Sequence, residues 1–130
     1  MIGCIMGKFL ACCTTEDAAT HYLNYMASET GFPMHVYQDV YSSDSTPFAD
    51  KGVPAVSFCR ASGPNTATIH NSYDTPAVMS SVQTAEDIDF IVQFARRMAD
   101  AKLCPVAREM PDNMKEKLDE YLCRKRPKNA

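Results

Sequence analysis

Phe9-Leu10-Ala11-Cys12-Cys13 runs directly into Thr14-Thr15-Glu16-Asp17, and this junction limits the fold more than any other part of the chain. Five apolar residues in a row, without alternation, suit a strand covered on both faces. The cluster behind them is a helix start. A threonine hydroxyl can cap free backbone N–H groups there, and the two acids favour the positive helix end. A buried strand that hands over to a helix within a few residues is the signature of an α/β fold.

The rest of the chain repeats the alternation. The helix is expected to run to about Glu29, with Ala19, Tyr22, Leu23, Met26 and Ala27 on one face. Gly31 can take the left-handed cap, and Pro33 forbids continuation. Met34 to Val40 alternates as a strand. Ser45 to Lys51 reads as a short helix, with Ser45 as cap, Pro47 in the first turn and Gly52 behind it. Val53 to Phe58 reads as a strand with Pro54 near its start. Residues 62–76 form a long polar loop, of the kind that is usually functional or disordered. Thr84-Ala85-Glu86-Asp87 then caps the strongest helix, whose expected buried stripe is Ile88, Ile91, Val92, Ala95, Met98 and Ala99. A last helix from about Asp112 to Cys123 carries Met114, Leu118, Tyr121 and Leu122 on its apolar face. At the other end, Met1 to Ile5 reads as an opening strand, with a turn at Gly7-Lys8. The order predicts an α/β fold with a mixed, mostly parallel sheet. Residues 1–103 form its body, and residues 104–130 form an extension with one helix and a basic tail.

Charge excludes several functions. A net charge of -3 over 130 residues is too small to steer nucleic acid or an anionic membrane. The basic run Arg124 to Lys128 has no aromatic partners and reads as a solvated end. No run of apolar residues is long enough to span a bilayer. The first thirteen residues lack a basic lead and are broken by Gly3, Gly7 and Lys8, which argues against a secretion signal. Six cysteines show no disulfide framework; Cys4, Cys12 and Cys59 lie in apolar strand-like runs, as reduced thiols of a cytoplasmic protein would.

In open α/β sheets, ligands bind beyond the carboxyl ends of the strands. Two polar segments follow strands here: Tyr41-Ser42-Ser43-Asp44-Ser45, and Ile69-His70-Asn71-Ser72-Tyr73-Asp74-Thr75. By residue type alone, Asp44 is a helix cap or a group aimed at a ligand. His70 is a surface side chain or a metal ligand. Asp74 either orients His70 or makes a turn before Pro76. His21 and His35 have no carboxylate pattern around them and read as structural or surface residues.

These two segments resemble a known family. Ser43-Asp44-Ser45-Thr46-Pro47-Phe48-Ala49-Asp50-Lys51-Gly52-Val53-Pro54-Ala55-Val56 resembles the "SDH-x-x-F-x-x-x-G-[IV]-P-A" stretch of the co-catalytic, di-zinc aminopeptidases. That superfamily also contains glutaminyl cyclases and the protease-like domain of the transferrin receptor. Ile69 to Thr75 resembles the family's "hHTxxDT", where h is apolar, and Met1-Ile2-Gly3 is similar to the end of its "N-x-D-M-x-G" strand. The likeness spans about Met1 to Lys102. Ser45 stands where many members have histidine, and Asn71 where many have threonine.

The resemblance implies a partial three-layer α/β/α zinc-exopeptidase fold that lacks its N-terminal half. It implies hydrolysis of N-terminal peptide bonds at two zinc ions. His70 matches the family's final metal-binding histidine, and Asp44 its second-shell aspartate. Tyr41, Ser42, Ser43, Ile69 and Asp74 would lie near the substrate pocket. The other four ligands and the general base precede Met1 in the family. The isolated chain is therefore expected to be inactive, to bind zinc weakly at most, and to associate with itself through unpaired strands. Two alternatives differ in kind. One is a non-catalytic binding or oligomerisation module. The other is a glutaminyl cyclase, which the absence of tryptophan from the chain disfavours.

Overall fold

The computed structural model describes residues 2–5, 7–61 and 69–125. The start of the expected opening strand at Met1, residues 62–68 of the long loop and the end of the basic tail lie outside them. Among the described residues the fold is mixed α/β. It comprises β1 (Lys8–Cys13), α1 (Asp17–Thr30), β2 (Met34–Gln38), α2 (Ser45–Asp50), β3 (Val56–Ala61), a 3-10 turn (Pro76–Val78), α3 (Ser81–Asp100) and α4 (Asp112–Tyr121). The three strands form one sheet in the order β2-β1-β3. β1 pairs parallel to β2, with Ala11 beside Val36, and antiparallel to β3, with Ala11 beside Phe58. The sheet is thus evenly mixed rather than mostly parallel, because the chain re-enters β3 from the carboxyl end of β1. Thr14 N–H donates to Ala55 O at that end of the ladder, 2.9 Å away.

Strand alternation sorts the side chains between two faces. One face carries Phe9, Ala11, Cys13, Val36 and Phe58, and is covered by Ala19, Leu23 and Met26 of α1 and Phe90 of α3. Phe9 is fully buried at its centre. Its ring lies edge-on to Phe32 at 5.1 Å, stacks on Phe58 at 5.8 Å and meets Phe90 at 6.2 Å, while Phe32 and Phe90 stack at 4.5 Å. Residues of the opposite face by register are Leu10, Cys12, His35, Tyr37, Ser57 and Cys59.

Caps differ in detail from the sequence expectation. Glu16, not a threonine, caps α1: its Oε2 accepts from Ala18 N–H at 2.9 Å. Thr14 and Thr15 are instead buried at the end of β1, where Thr14 Oγ1 donates to Asp39 O. Gly31 closes α1 at φ 69°, as its position predicts. Asp44 rather than Ser45 occupies the cap position of α2, without a side-chain cap bond. α3 starts three residues before Thr84, capped by the Ser80 hydroxyl on Gln83 N–H. Residues 2–5 form no strand; Cys4 makes one bridge to Met79.

The face of α3 that packs inward is also not the expected one. Asp87 and Phe90 are buried and Ile91 and Phe94 half-buried, whereas Ile88 is 46% and Val92 37% exposed. The cause is a polar anchor. Asp87 accepts two hydrogen bonds from Arg60 and one from Gly3 N–H, and so turns the helix by its charged residue. Gly3 sits at φ 73°, and a Cβ there would collide with Thr84 Oγ1, so the position needs glycine.

The segment after residue 103 packs back on this body. Val106 joins the main core, Met114 and Leu118 of α4 are buried, and Lys117 and Arg124 pair with Asp39 and Asp50. All six thiols are free; Cys104 and Cys123 are exposed. No helix among the described residues is long and apolar enough to cross a membrane.

Candidate functional site

Among the described residues β3 is an edge strand. One side of the strand pairs with β1, and the continuous run Val53 to Ala61 lines a cavity of about 850 Å³. The rest of its lining comes mainly from the two polar segments singled out in the sequence: Tyr41, Ser42, Ser43, Asp44 and Ser45 from the first, Ile69 and His70 from the second. Six of the seven predicted site residues therefore share one cavity. Asp74 does not line it. Its N–H closes a turn onto Asn71 O at 3.1 Å, and Asn71 Oδ1 accepts from Tyr73 N–H at 2.8 Å, so this stretch is a turn. His21 and His35 are exposed, with His35 stacked on Tyr37.

A serine triangle that the sequence reading missed holds the Tyr41–Ser45 loop. Ser43 Oγ lies 2.6 Å from both Ser45 Oγ and Ser57 Oγ, and Ser57 Oγ lies 2.9 Å from Ser45 Oγ. Thr46 Oγ1 donates to Tyr41 O at 2.7 Å from the first turn of α2. Hydroxyls both donate and accept, so three of them can satisfy one another inside the protein. The triangle ties the loop after β2 to the start of β3. Ser57 belongs to a strand that reads simply as apolar, and only the three-dimensional pairing exposes its role.

His70 has a left-handed backbone at φ 64°, and its side chain is exposed. Such a φ is uncommon outside glycine, although asparagine, aspartate and histidine adopt it more readily than other residues. Strained backbone of this kind clusters at binding and catalytic sites.

Two thiols of β1 and two phenols, Tyr37 of β2 and Tyr41 beyond it, hold their protons more tightly than free groups do. Burial pushes the Cys12 thiol up, and pushes Cys13 up to about 11. Tyr41 is raised by the neighbouring Cys59 sulfur and by burial, and Tyr37 is raised mainly by burial. A protonated thiol is a poor nucleophile and a poor metal ligand. Nor do His, Cys, Asp and Glu side chains gather in threes at any point among the described residues. A zinc site needs at least three protein ligands. The cavity lining brings together one imidazole (His70), one carboxylate (Asp44), one guanidinium (Arg60), one thiol (Cys59) and several hydroxyls.

Comparison with protein-family models, with curated proteins and with solved structures finds no match to this chain.

Proposed function

We propose that this chain is a portion of a zinc-dependent aminopeptidase, contributing the peptide-binding wall and one metal-binding imidazole, His70. One observation carries the reading: the Tyr41–Ser45 loop and Ile69-His70, far apart in sequence, line the same cavity as β3, an edge strand among the described residues. An unpaired strand edge offers backbone N–H and C=O groups to an extended peptide, which can add to the sheet as a further strand. Phe48, 59% exposed in the same cavity, offers an apolar contact to a substrate side chain. The left-handed His70 supports the same assignment, since a costly backbone persists where it aims a working side chain. The chain alone does not hydrolyse peptides under this reading, because one imidazole cannot hold the metal pair. Under this reading the sheet and its helices are part of a three-layer α/β/α zinc-exopeptidase fold.

The test is a titration of isotope-labelled protein with a short peptide bearing a free N-terminus. Amide signals of Ser42, Ser43, Asp44, Ile69, His70 and β3 are expected to shift together. Shifts confined to other surfaces overturn the reading. A second reading, a non-catalytic binding module, is favoured by the lack of a three-ligand cluster among the described residues. It predicts the same peptide response but no response of His70 to zinc.

A further inference from the structure

We infer that the exposed seam of α3 is the contact surface for a second copy of this chain, with the two α3 helices packed antiparallel about a two-fold axis. This inference is independent of the peptidase reading.

Ala85, Ile88, Val92, Ala95 and Ala99 recur at alternating spacings of three and four residues, the spacing of a coiled-coil seam. α3 buries a different face, built on Asp87 and Phe90. The seam is therefore left outside, with its two largest residues, Ile88 and Val92, both exposed. The residues that flank it are unequal. On the core side lie half-buried Ile91 and Met98; on the solvent side lie exposed Asp89 and Arg96. Asp89 binds only Gln93 Nε2 on its own helix, and Arg96 has no carboxylate partner among the described residues.

In an antiparallel pair, flanking residues on the same side of the two seams meet each other. If Val92 of one helix packs on Ala95 of the other, then Ile88 packs on Ala99 and Asp89 falls opposite Arg96, twice by symmetry. Each large side chain then meets a small one, which allows close approach of the axes. Ile91 falls opposite Met98 on the other flank. The alternatives are worse. Sliding the helices by one heptad in either direction sets Asp89 against Asp89 or Arg96 against Arg96. A parallel pair sets Arg96 against Ile91. The charges thus select both the orientation and the register, and they complement a copy of the same helix.

Sedimentation equilibrium of the whole chain tests this. A monomer–dimer equilibrium is expected. Arg96→Asp and Asp89→Arg should each raise the dimer dissociation constant by about tenfold or more, since like charges then meet twice. The double variant Asp89→Arg/Arg96→Asp restores opposite charges and should recover most of the affinity. Both positions are exposed, so circular dichroism should be unchanged in every variant. A chain that stays monomeric, a dimer indifferent to the single swaps (as strand-edge pairing would give), or a double variant as weak as the singles overturns the inference.

Discussion

Arg60 grips Asp87 through two parallel hydrogen bonds, Nε to Oδ2 at 2.8 Å and a terminal guanidinium nitrogen to Oδ1 at 2.7 Å, and the carboxylate is wholly buried. The pair joins β3 to α3 across the rim of the core. Its remaining valences are filled: Gly3 N–H donates to Asp87 Oδ2 at 2.8 Å, and Arg60 donates to Gly7 O at 3.2 Å. The guanidinium carbon also lies 5.6 Å from the centroid of the Phe9 ring. Removing one partner strands a buried charge. Asp87→Ala is expected to cost about 3–5 kcal/mol in urea unfolding. Arg60→Met/Asp87→Leu should cost less than the sum of the single changes, and a strictly additive cycle would contradict the coupling.

Phe9 predicts a second large effect, through a different mechanism. Its ring is fully buried and touches three other phenylalanines. Phe9→Ala leaves a cavity and should destabilise by about 3–5 kcal/mol, while Phe9→Leu should cost clearly less. Equal losses would mean that the site is not close-packed.

The thiols separate by burial. Cys104 and Cys123 are exposed, and Cys12 and Cys13 are buried. Alkylation followed by mass spectrometry should label Cys104 and Cys123 first in the native protein. Cys12 and Cys13 should react only on unfolding. The sign of the pH effect follows from Cys13, raised from 9.0 to about 11 by burial. Below pH 9 the native and unfolded states both keep the proton. As pH rises from 9 towards 11, the unfolded state releases it while the native state holds it, so stability falls. Denaturation midpoints that rise over this window would contradict the burial of Cys13.

His70 links strain to the site. Its φ of 64° suits glycine better. His70→Gly should leave stability unchanged or raise it by about 1 kcal/mol, whereas His70→Val should lower it. Thermal melts decide, and a loss on His70→Gly would show that the imidazole itself holds the loop.

The alternation of strands and helices was legible because burial and capping act within a few residues. Gly31 and Pro33 end α1, and Phe9 to Cys13 form the central strand, through purely local chemistry. What local pattern could not reveal was set by distant partners. The rotation of α3 depends on Arg60, twenty-seven residues from Asp87. The antiparallel entry of β3 brings Ala55 beside Thr14, forty-one residues away, where Thr14 N–H donates to Ala55 O. At the cavity, Tyr41–Asp44 and His70 stood out by residue type and position after strands. Ser57 did not, because a single hydroxyl in an apolar strand gives no signal until its partners Ser43 and Ser45 are brought to it.

The most direct test of the peptidase reading is the response of the three histidines to zinc, followed by NMR of imidazole-labelled protein. His70 ring signals should shift as zinc is added while those of His21 and His35 stay in place, and aminoacyl chromogenic substrates should show no turnover before or after the addition. Silence at His70, or a shift at His21 or His35 of the same size, contradicts the account.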